Sequence, residues 1–254
     1  MNNTENTPQR WDNHWSRFSL STRTNPGHVL RRQLIARLLG PTAAERGAAI
    51  LDFGCGSGDL LAMLSRRFPA AALAGADLSQ NGLDETAAQV PEAMLSQFDF
   101  TKAQNVPDEL RGWASHIVCS EVLEHLDDPV PALGNAALCL RPGGRIVITV
   151  PGGPMSAFDH HIGHRRHFTR SELKELLEQA GLRVDTIAGA GFPVFNLYRM
   201  AVLLRGRRLI EDVSGEAGFL AALTMAAFRG MMGLSLFNTP WGWQIVASAR
   251  LRSG

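Results

Sequence analysis

Charge is scarce in this chain and nearly balanced. Only 19% of its 254 residues are charged, and 25 Lys and Arg against 24 Asp and Glu leave a formal net charge of +1. That balance argues against a nucleic-acid partner held by a general basic field. Three cysteines, Cys55, Cys119 and Cys139, are odd in number and without paired spacing, so a disulfide scaffold is not expected. The opening MNNTENTPQRWDNHW has no apolar core of the kind a secretory leader needs, and the expected location is the cytoplasm. No repeat or low-complexity run is present. What the chain does have is 45% hydrophobic residues, too many for disorder. A chain of this size hides roughly three-quarters of its surface on folding.

Hydrophobic periodicity organises most of the length. A helix is expected from about His28 to Leu39, with Val29, Leu30, Leu34 and Leu38 on one face and Gly40-Pro41 as its stop. From Ala48 onward short apolar runs alternate with helical patterns. The runs are 49–53, 71–76, 93–98, 116–119, 145–150, 182–187 and 243–249. Strands alternating with helices imply right-handed crossovers and an α/β fold with a doubly wound, mostly parallel seven-stranded sheet. Thr169-Arg-Ser-Glu172 is a capping box that opens a further helix. One domain over 1–254 is expected: an N-terminal helical arm (1–45), a core (46–190 plus 241–254) and an apolar helical insertion (191–240).

Chemistry concentrates in Asp52-Phe-Gly-Cys-Gly-Ser-Gly58, where three glycines separate a buried strand from a helix. Glycine admits positive φ and lets a ligand approach the backbone, and the helix N-terminus supplies donors. Asp77 ends the next strand, where a ribose diol is usually gripped. A phosphate-binding P-loop requires Gly-Lys-Ser/Thr, whereas this loop ends Gly58-Asp59. A dinucleotide loop wants its third glycine one position later. Carboxylates at Asp52 and Asp59 suit a cationic or zwitterionic ligand better than a pyrophosphate, which disfavours a nicotinamide oxidoreductase.

That loop, with Asp77-Leu78, Phe98-Asp99-Phe100, Ser120-Glu-Val-Leu-Glu-His125 and Leu140-Arg-Pro-Gly-Gly144, resembles the class I S-adenosylmethionine-dependent methyltransferases in order and spacing. The resemblance covers about Ala48 to Ile187. It implies a Rossmann-like fold and S-adenosylmethionine as methyl donor, leaving S-adenosylhomocysteine. It also implies contacts from Asp52, Gly54, Cys55, Gly56 and Gly58 to the amino-acid part and from Asp77-Leu78 to the ribose. Asp99-Phe100 would meet the adenine, and Ser120-Glu121 would lie beside the sulfonium. Ser115-His116 departs from the family, which usually opens this strand with an aromatic–Asp pair.

Four histidines, His160, His161, His164 and His167, crowd the loop that follows the fifth strand. This segment resembles the acceptor-side loop of ubiquinone-biosynthesis-type O-methyltransferases, with His164 and Arg166 at matched positions. An acceptor hydroxyl must lose a proton, and a histidine near neutral pKa suits that task. His164, His125 and Arg166 are therefore the catalytic candidates. On a helical turn Glu121, Glu124 and His125 would share a face. A similar string binds a divalent ion in small-RNA 2′-O-methyltransferases, with a later histidine joining, so a metal is an alternative, although none is assigned here.

The insertion is nearly devoid of charge: from Ala217 to Ala249 only Arg229 carries any. Arg229 and two glycines count against a membrane span over Phe219–Leu236. The preferred reading is a lid over a small, fairly apolar acceptor. Alternatives are peripheral membrane contact, with Arg205, Arg207 and Arg208 meeting anionic lipid, or a homodimer surface. The N-terminal arm, with Trp11 and Trp15, is expected to fold over the site. Methyl transfer to oxygen is the expected reaction. A methyltransferase acting on a lipid or quinone at the membrane surface and a non-catalytic cofactor-binding partner subunit are the other readings.

Overall fold

The computed structural model describes residues 7–9, 11–13, 25–206 and 219–252. Trp15, Arg207 and Arg208 lie outside them. Seven strands form one sheet: β1 (Ala49–Phe53), β2 (Ala72–Asp77), β3 (Met94–Gln97), β4 (Ala114–Ser120), β5 (Leu140–Pro151), β6 (Leu182–Ala190) and β7 (Gln244–Leu251). Their spatial order is 3-2-1-4-5-7-6. All pairs are parallel except those of β7, which runs antiparallel to β5 and β6. The mostly parallel sheet expected from the alternation is therefore present, with its one reversed strand arriving last.

Both faces of the sheet are covered, which is why β1 is buried at all five positions. Leu51, Phe53, Ile117, Ile146 and Ile148 point to one face, against α4 (Val130–Cys139) and α6 (Arg170–Gln179). Ile50, Val118, Val147 and Val246 point to the other, against α1 (Pro26–Leu39), α2 (Asp59–Arg67) and the insertion helices. Leu173 and Leu177, one turn apart on α6, are wholly buried. Each contributes about 1.5–3 kcal/mol by that burial. The capping box foreseen at Thr169 is formed, with Glu172 returning to the Thr169 N–H.

Two local expectations need correction. The histidine-rich stretch is not a loop throughout: Ala157–Ile162 is a short helix, α5, capped by Ser156 and Asp159 reciprocally. An Asp at the third helical position served where Glu is the usual sign. Pro142-Gly143-Gly144 does not precede the fifth strand but lies within β5, where the β4–β5 register slips between Ala114 and His116. The apolar insertion splits into α7 (Val194–Arg205) and α8 (Phe219–Met231), followed by a 3₁₀ turn at Met232–Leu234. No helix among the described residues is long and apolar enough to cross a membrane. The remaining helix, α3 (Gln80–Gln89), follows β2 and is capped by Ser79.

Candidate active site

Beyond β1 the chain turns through the glycine loop, which is tied to the end of β2. The N–H groups of Gly54 and Cys55 both donate to the Ala76 carbonyl, at 2.7 and 3.0 Å. Gly54 has φ +86°, and a Cβ there would stand 2.4 Å from a Val122 methyl. Gly58 caps α2 at φ +82°, and a Cβ would meet the Thr86 Cα at 2.9 Å. Only glycine fits either position. Asp77 then clamps the loop: its carboxylate accepts from the Gly56 N–H at 2.8 Å and from the Ser79 N–H at 2.9 Å. The Leu78 N–H also reaches this carboxylate, and since a carboxylate has about four acceptor sites, about one remains for a ligand.

The acids around this loop behave differently from one another. Asp52 is buried in β1 with one carboxyl oxygen lacking a partner. Burial, and then the neighbouring Asp77, push its pKa up to about 8. It is therefore largely protonated at neutral pH, not the standing negative charge that its type suggested. Burial also raises the Asp77 pKa against the pull of the Ser79, Gly56 and Leu78 N–H groups. Partial burial works the same way on Asp99, but bonds from Thr101 and Lys102 outweigh it and lower that carboxyl. The Cys55 thiol packs on Gly75, and burial drives its pKa well up, so it stays a neutral thiol.

One cleft gathers Gly54, Asp77, Leu78, Phe100, Glu121 and His125. Asp52, Cys55, Gly56, Gly58, Asp99 and Ser120 support it without lining it. Sequence reading missed Thr101, Val122 and Leu126, which complete the wall beside their named neighbours. Trp11 covers it, as the arm was expected to do. The Asp12 carboxylate docks that turn on α3, accepting from the Ser79 hydroxyl at 2.6 Å and the Asn81 N–H at 3.2 Å.

Glu121 holds an unusual backbone, φ +58°, which a non-glycine residue adopts only when its surroundings enforce it. Its carboxylate accepts from Thr149 of β5 and Gln244 of β7, at 3.2 and 2.9 Å, and pairs with Arg31 of α1 at 3.2 Å. Neither Arg31 nor Gln244 was foreseen. The only sign of Gln244 was an amide inside an apolar strand. Because Leu123–His125 is merely a 3₁₀ turn, Glu121, Glu124 and His125 do not share a helical face. Glu121 faces the cleft network, while Glu124 is wholly buried with both oxygens unpartnered.

Behind the cleft lies a packed histidine cluster. The His125 ring meets Trp11 on one side and His164 on the other, edge to face, with centroids 4.8 Å apart in each pair. His164 Nδ1 is 3.3 Å from His167 Nε2, and His164 Nε2 is 3.9 Å from Glu124. Burial, then His125, hold the His164 pKa well below the usual imidazole value, so it is neutral. Asp159 anchors the loop, bound by both Arg199 nitrogens at 3.0 and 2.6 Å. Arg199 is a contact the insertion makes here, and among the described residues no insertion side chain lines the cleft. Arg166 does not join the cluster: it is exposed and donates to the Asp127 carbonyl at 2.6 Å. His160 and His161 are exposed on α5.

Among the described residues two donor sets have metal-ligand proximity, Glu124–His125–His164 and Asp159–His164–His167, each with its ligand atoms within 4.8 Å. Asp159 is already satisfied by Arg199, so the first set is the better fit. Its acid is buried and unpartnered, and imidazole with carboxylate suits a divalent transition ion.

A glycine loop at the C-terminal edge of a doubly wound sheet, with an acid closing the next strand, defines a nucleotide-cofactor enzyme of the Rossmann-like class. Residues 27–187 match the methyltransferase-domain family, and the chain belongs to it. Among known proteins it is similar to the ubiquinone biosynthesis O-methyltransferase of Aeromonas salmonicida (strain A449). The two are 28% identical over 189 residues, spanning 68% of this chain and 79% of the relative. In fold it resembles a TehB-like SAM-dependent methyltransferase from Corynebacterium glutamicum, with TM-score 0.53, 21% identity, and 85% and 86% of the two chains covered. It also resembles geranyl diphosphate C-methyltransferase from Streptomyces coelicolor A3(2), with TM-score 0.56, 16% identity, and 87% and 77% covered.

Proposed function

We propose that the chain transfers a methyl group from S-adenosylmethionine to an oxygen of a small, fairly apolar acceptor, with His125 as the proton acceptor. The observation that carries this reading is a histidine set in the wall of the glycine-loop cleft, backed by the neutral His164. The loop backbone would hold the amino-acid part of the cofactor, Asp77 the ribose hydroxyls and Asp99 the adenine amino group. S-adenosylmethionine supplies an electrophilic methyl on a positively charged sulfur.

Glu121, fixed by Arg31, Thr149 and Gln244, keeps the cleft floor from shifting, and in-line placement of the reactants provides most of the acceleration. As the acceptor oxygen takes the methyl, its proton passes to His125, whose far side abuts His164. The Trp11 turn must lift for the cofactor to enter, because the cleft beneath it holds about 50 Å³, against several hundred for a typical ligand pocket. That turn excludes water once it returns.

A second reading is favoured by Glu124. With both oxygens unpartnered it can bind a divalent ion together with His125 and His164, and that ion would lower the acceptor hydroxyl's pKa. Contact with a membrane is supported by an outward apolar stripe on α7, where Leu197, Met200 and Leu204 are exposed, continued by Leu234, Leu236 and Trp241. It would bring an apolar acceptor to the enzyme from lipid.

Calorimetry with S-adenosylhomocysteine tests the first claim, since folded protein that gives no heat ends it. If His125 is the base, His125→Gln should keep that affinity and lose turnover of an apolar phenol by 10²-fold or more. Turnover restored to chelated wild-type protein by Zn²⁺ or Mg²⁺, but not to Glu124→Gln, selects the metal reading. Failure to sediment with phosphatidylglycerol vesicles removes the membrane contact.

A further inference from the structure

At the opposite end of the sheet, where β4 starts and β7 ends, a cavity of about 230 Å³ is ringed by Arg46, Arg141, Arg145 and Arg250. The run of β4 from Ser115 to Ser120 puts it roughly 16 Å from the methyl-transfer cleft. Among the described residues Glu45 is the single carboxylate in its wall. Three of the arginines are held in place by one bond each. Arg141 donates to the Gly47 carbonyl at 3.2 Å, Arg145 to the Leu38 carbonyl at 3.0 Å, and Arg250 to Asp185 at 2.8 Å. Each guanidinium has five N–H donors, so most of its donors remain available. Four positive charges thus face two carboxylates, Glu45 and Asp185, and the second of these is shared with Arg183.

The departure noted at Ser115-His116 forms the floor. His116 is buried, with Nε2 2.9 Å from the Thr42 hydroxyl and Nδ1 2.8 Å from the Ser115 hydroxyl. The Ser115 proton goes to the Ala49 carbonyl at 2.9 Å, so Nδ1 carries the ring proton and Nε2 accepts from Thr42. Burial first, and then Arg145, Arg141 and Arg250, bring its pKa down to about 4. The same three arginines that line the cavity thus converge on one ring. The histidine adds no charge of its own at neutral pH. The excess of two positive charges matches a dianion, and planar guanidinium forks match phosphate oxygens. The volume equals several water shares of about 30 Å³ each, enough for a phosphate with a small organic group.

We propose that this cavity is a binding site for a phosphate-bearing small anion, separate from the methyl-transfer cleft. The test titrates the full chain with inorganic phosphate, pyrophosphate and glycerol 3-phosphate at constant ionic strength, with chloride as control. Binding is read by calorimetry and by the His116 ring signals in NMR. Saturable binding is expected with at least one of the three, and its rank order separates phosphate, diphosphate and phosphomonoester ligands. Saturation should raise the His116 pKa by a unit or more. The Arg46→Ala/Arg141→Ala double variant, altered only at exposed side chains, should lose at least tenfold in affinity while S-adenosylhomocysteine binding stays unchanged. Heats no larger than those of chloride overturn the proposal, and so does phosphate affinity that survives the double variant. Phosphate-induced shifts confined to the Trp11–Asp77 cleft, with His116 unmoved, would move the site elsewhere and overturn it too.

Discussion

Asp52→Asn should stabilise this protein, and increasingly so as the pH rises. The Asp52 carboxyl sits fully buried in the central strand, with one oxygen unpartnered and Asp77 nearby, and its pKa is raised to about 8 from an ordinary 3.8. In the folded chain it keeps its proton to higher pH than in the unfolded chain. Folded protein therefore binds more protons between about pH 4 and pH 8, and stability falls through that window as pH rises. Each unit is worth about 1.36 kcal/mol, so by pH 7 three units of deferred ionisation amount to at most about 4 kcal/mol. Asn keeps the shape and removes the ionisation. Urea unfolding followed by tryptophan fluorescence at pH 5, 6, 7 and 8 would give the difference between the two proteins. The gap should be small at pH 5 and should widen by up to about 1.4 kcal/mol per unit toward pH 8. Parallel curves, or a gap that narrows with pH, would refute the assignment. A ligand ammonium group beside Asp52 should reverse the preference, so the same variant should bind S-adenosylhomocysteine more weakly.

Other substitutions test other joints of the site. Arg199→Ala strands the buried Asp159 carboxylate and should destabilise by about 3–5 kcal/mol. Bonds and charge from Arg199 lower the Asp159 pKa despite its burial, so that deficit should be full at neutral pH and shrink in acid as the carboxylate protonates. A deficit independent of pH would point to lost packing instead. Gly58→Ala combines a left-handed backbone with a 2.9 Å approach to the Thr86 Cα and should lower stability by about 2–4 kcal/mol. Shortening Thr86 should rescue little of this, because the backbone atom stays. Glu121→Gly relieves about 1–2 kcal/mol of backbone strain but leaves the mostly buried Arg31 without its carboxylate, held only by Gln244. Net destabilisation in denaturant titration is expected, and a variant more stable than the parent would show that strain outweighs the ion pair.

Legibility followed the range of the interactions. The strand runs with their parallel alternation, the glycine loop with Asp77, and the Thr169 cap were readable because each rests on local pattern or on a steric demand only glycine meets, whereas the spatial order of the strands rests on pairings such as Arg145 with Arg250 that no local pattern shows. The position of Trp11 over the cleft was expected because an aromatic in a polar arm has few other places to bury itself. The partners of Glu121 were not readable, since Arg31 and Gln244 stand at opposite ends of the chain and meet only after the sheet closes. Arg166 was assigned by its neighbours in sequence, yet the turn at Gly163 leaves its side chain at the surface, where Asp127 receives it. Arg199, inside an apolar helix, supplied the cation that the histidine loop needed. Nothing in its local pattern separated it from Arg205.

The scarcity of charge now reads differently in different parts of the fold. In the cleft and the cluster behind it, few charges mean that each is fixed by several neighbours: Asp77 by backbone N–H groups, Glu121 by three side chains, Asp159 by a two-pronged arginine. Such groups cannot reorganise when a reactant charge shifts, which is the condition for electrostatic preorganisation. Glu124 breaks this rule. Among the described residues it is the one wholly buried acid beside the cleft with no hydrogen bond to either oxygen, and burial drives its pKa well up. A buried carboxyl stays unpartnered only where something offsets the loss, either a proton it keeps or a cation it awaits. The ligand atoms of His125 and His164 both lie within 4.8 Å of the Glu124 carboxylate, so whatever settles on Glu124 would also act on His125, the proposed base. The pH dependence of methyl transfer and the response to metal are therefore two measurements of a single group.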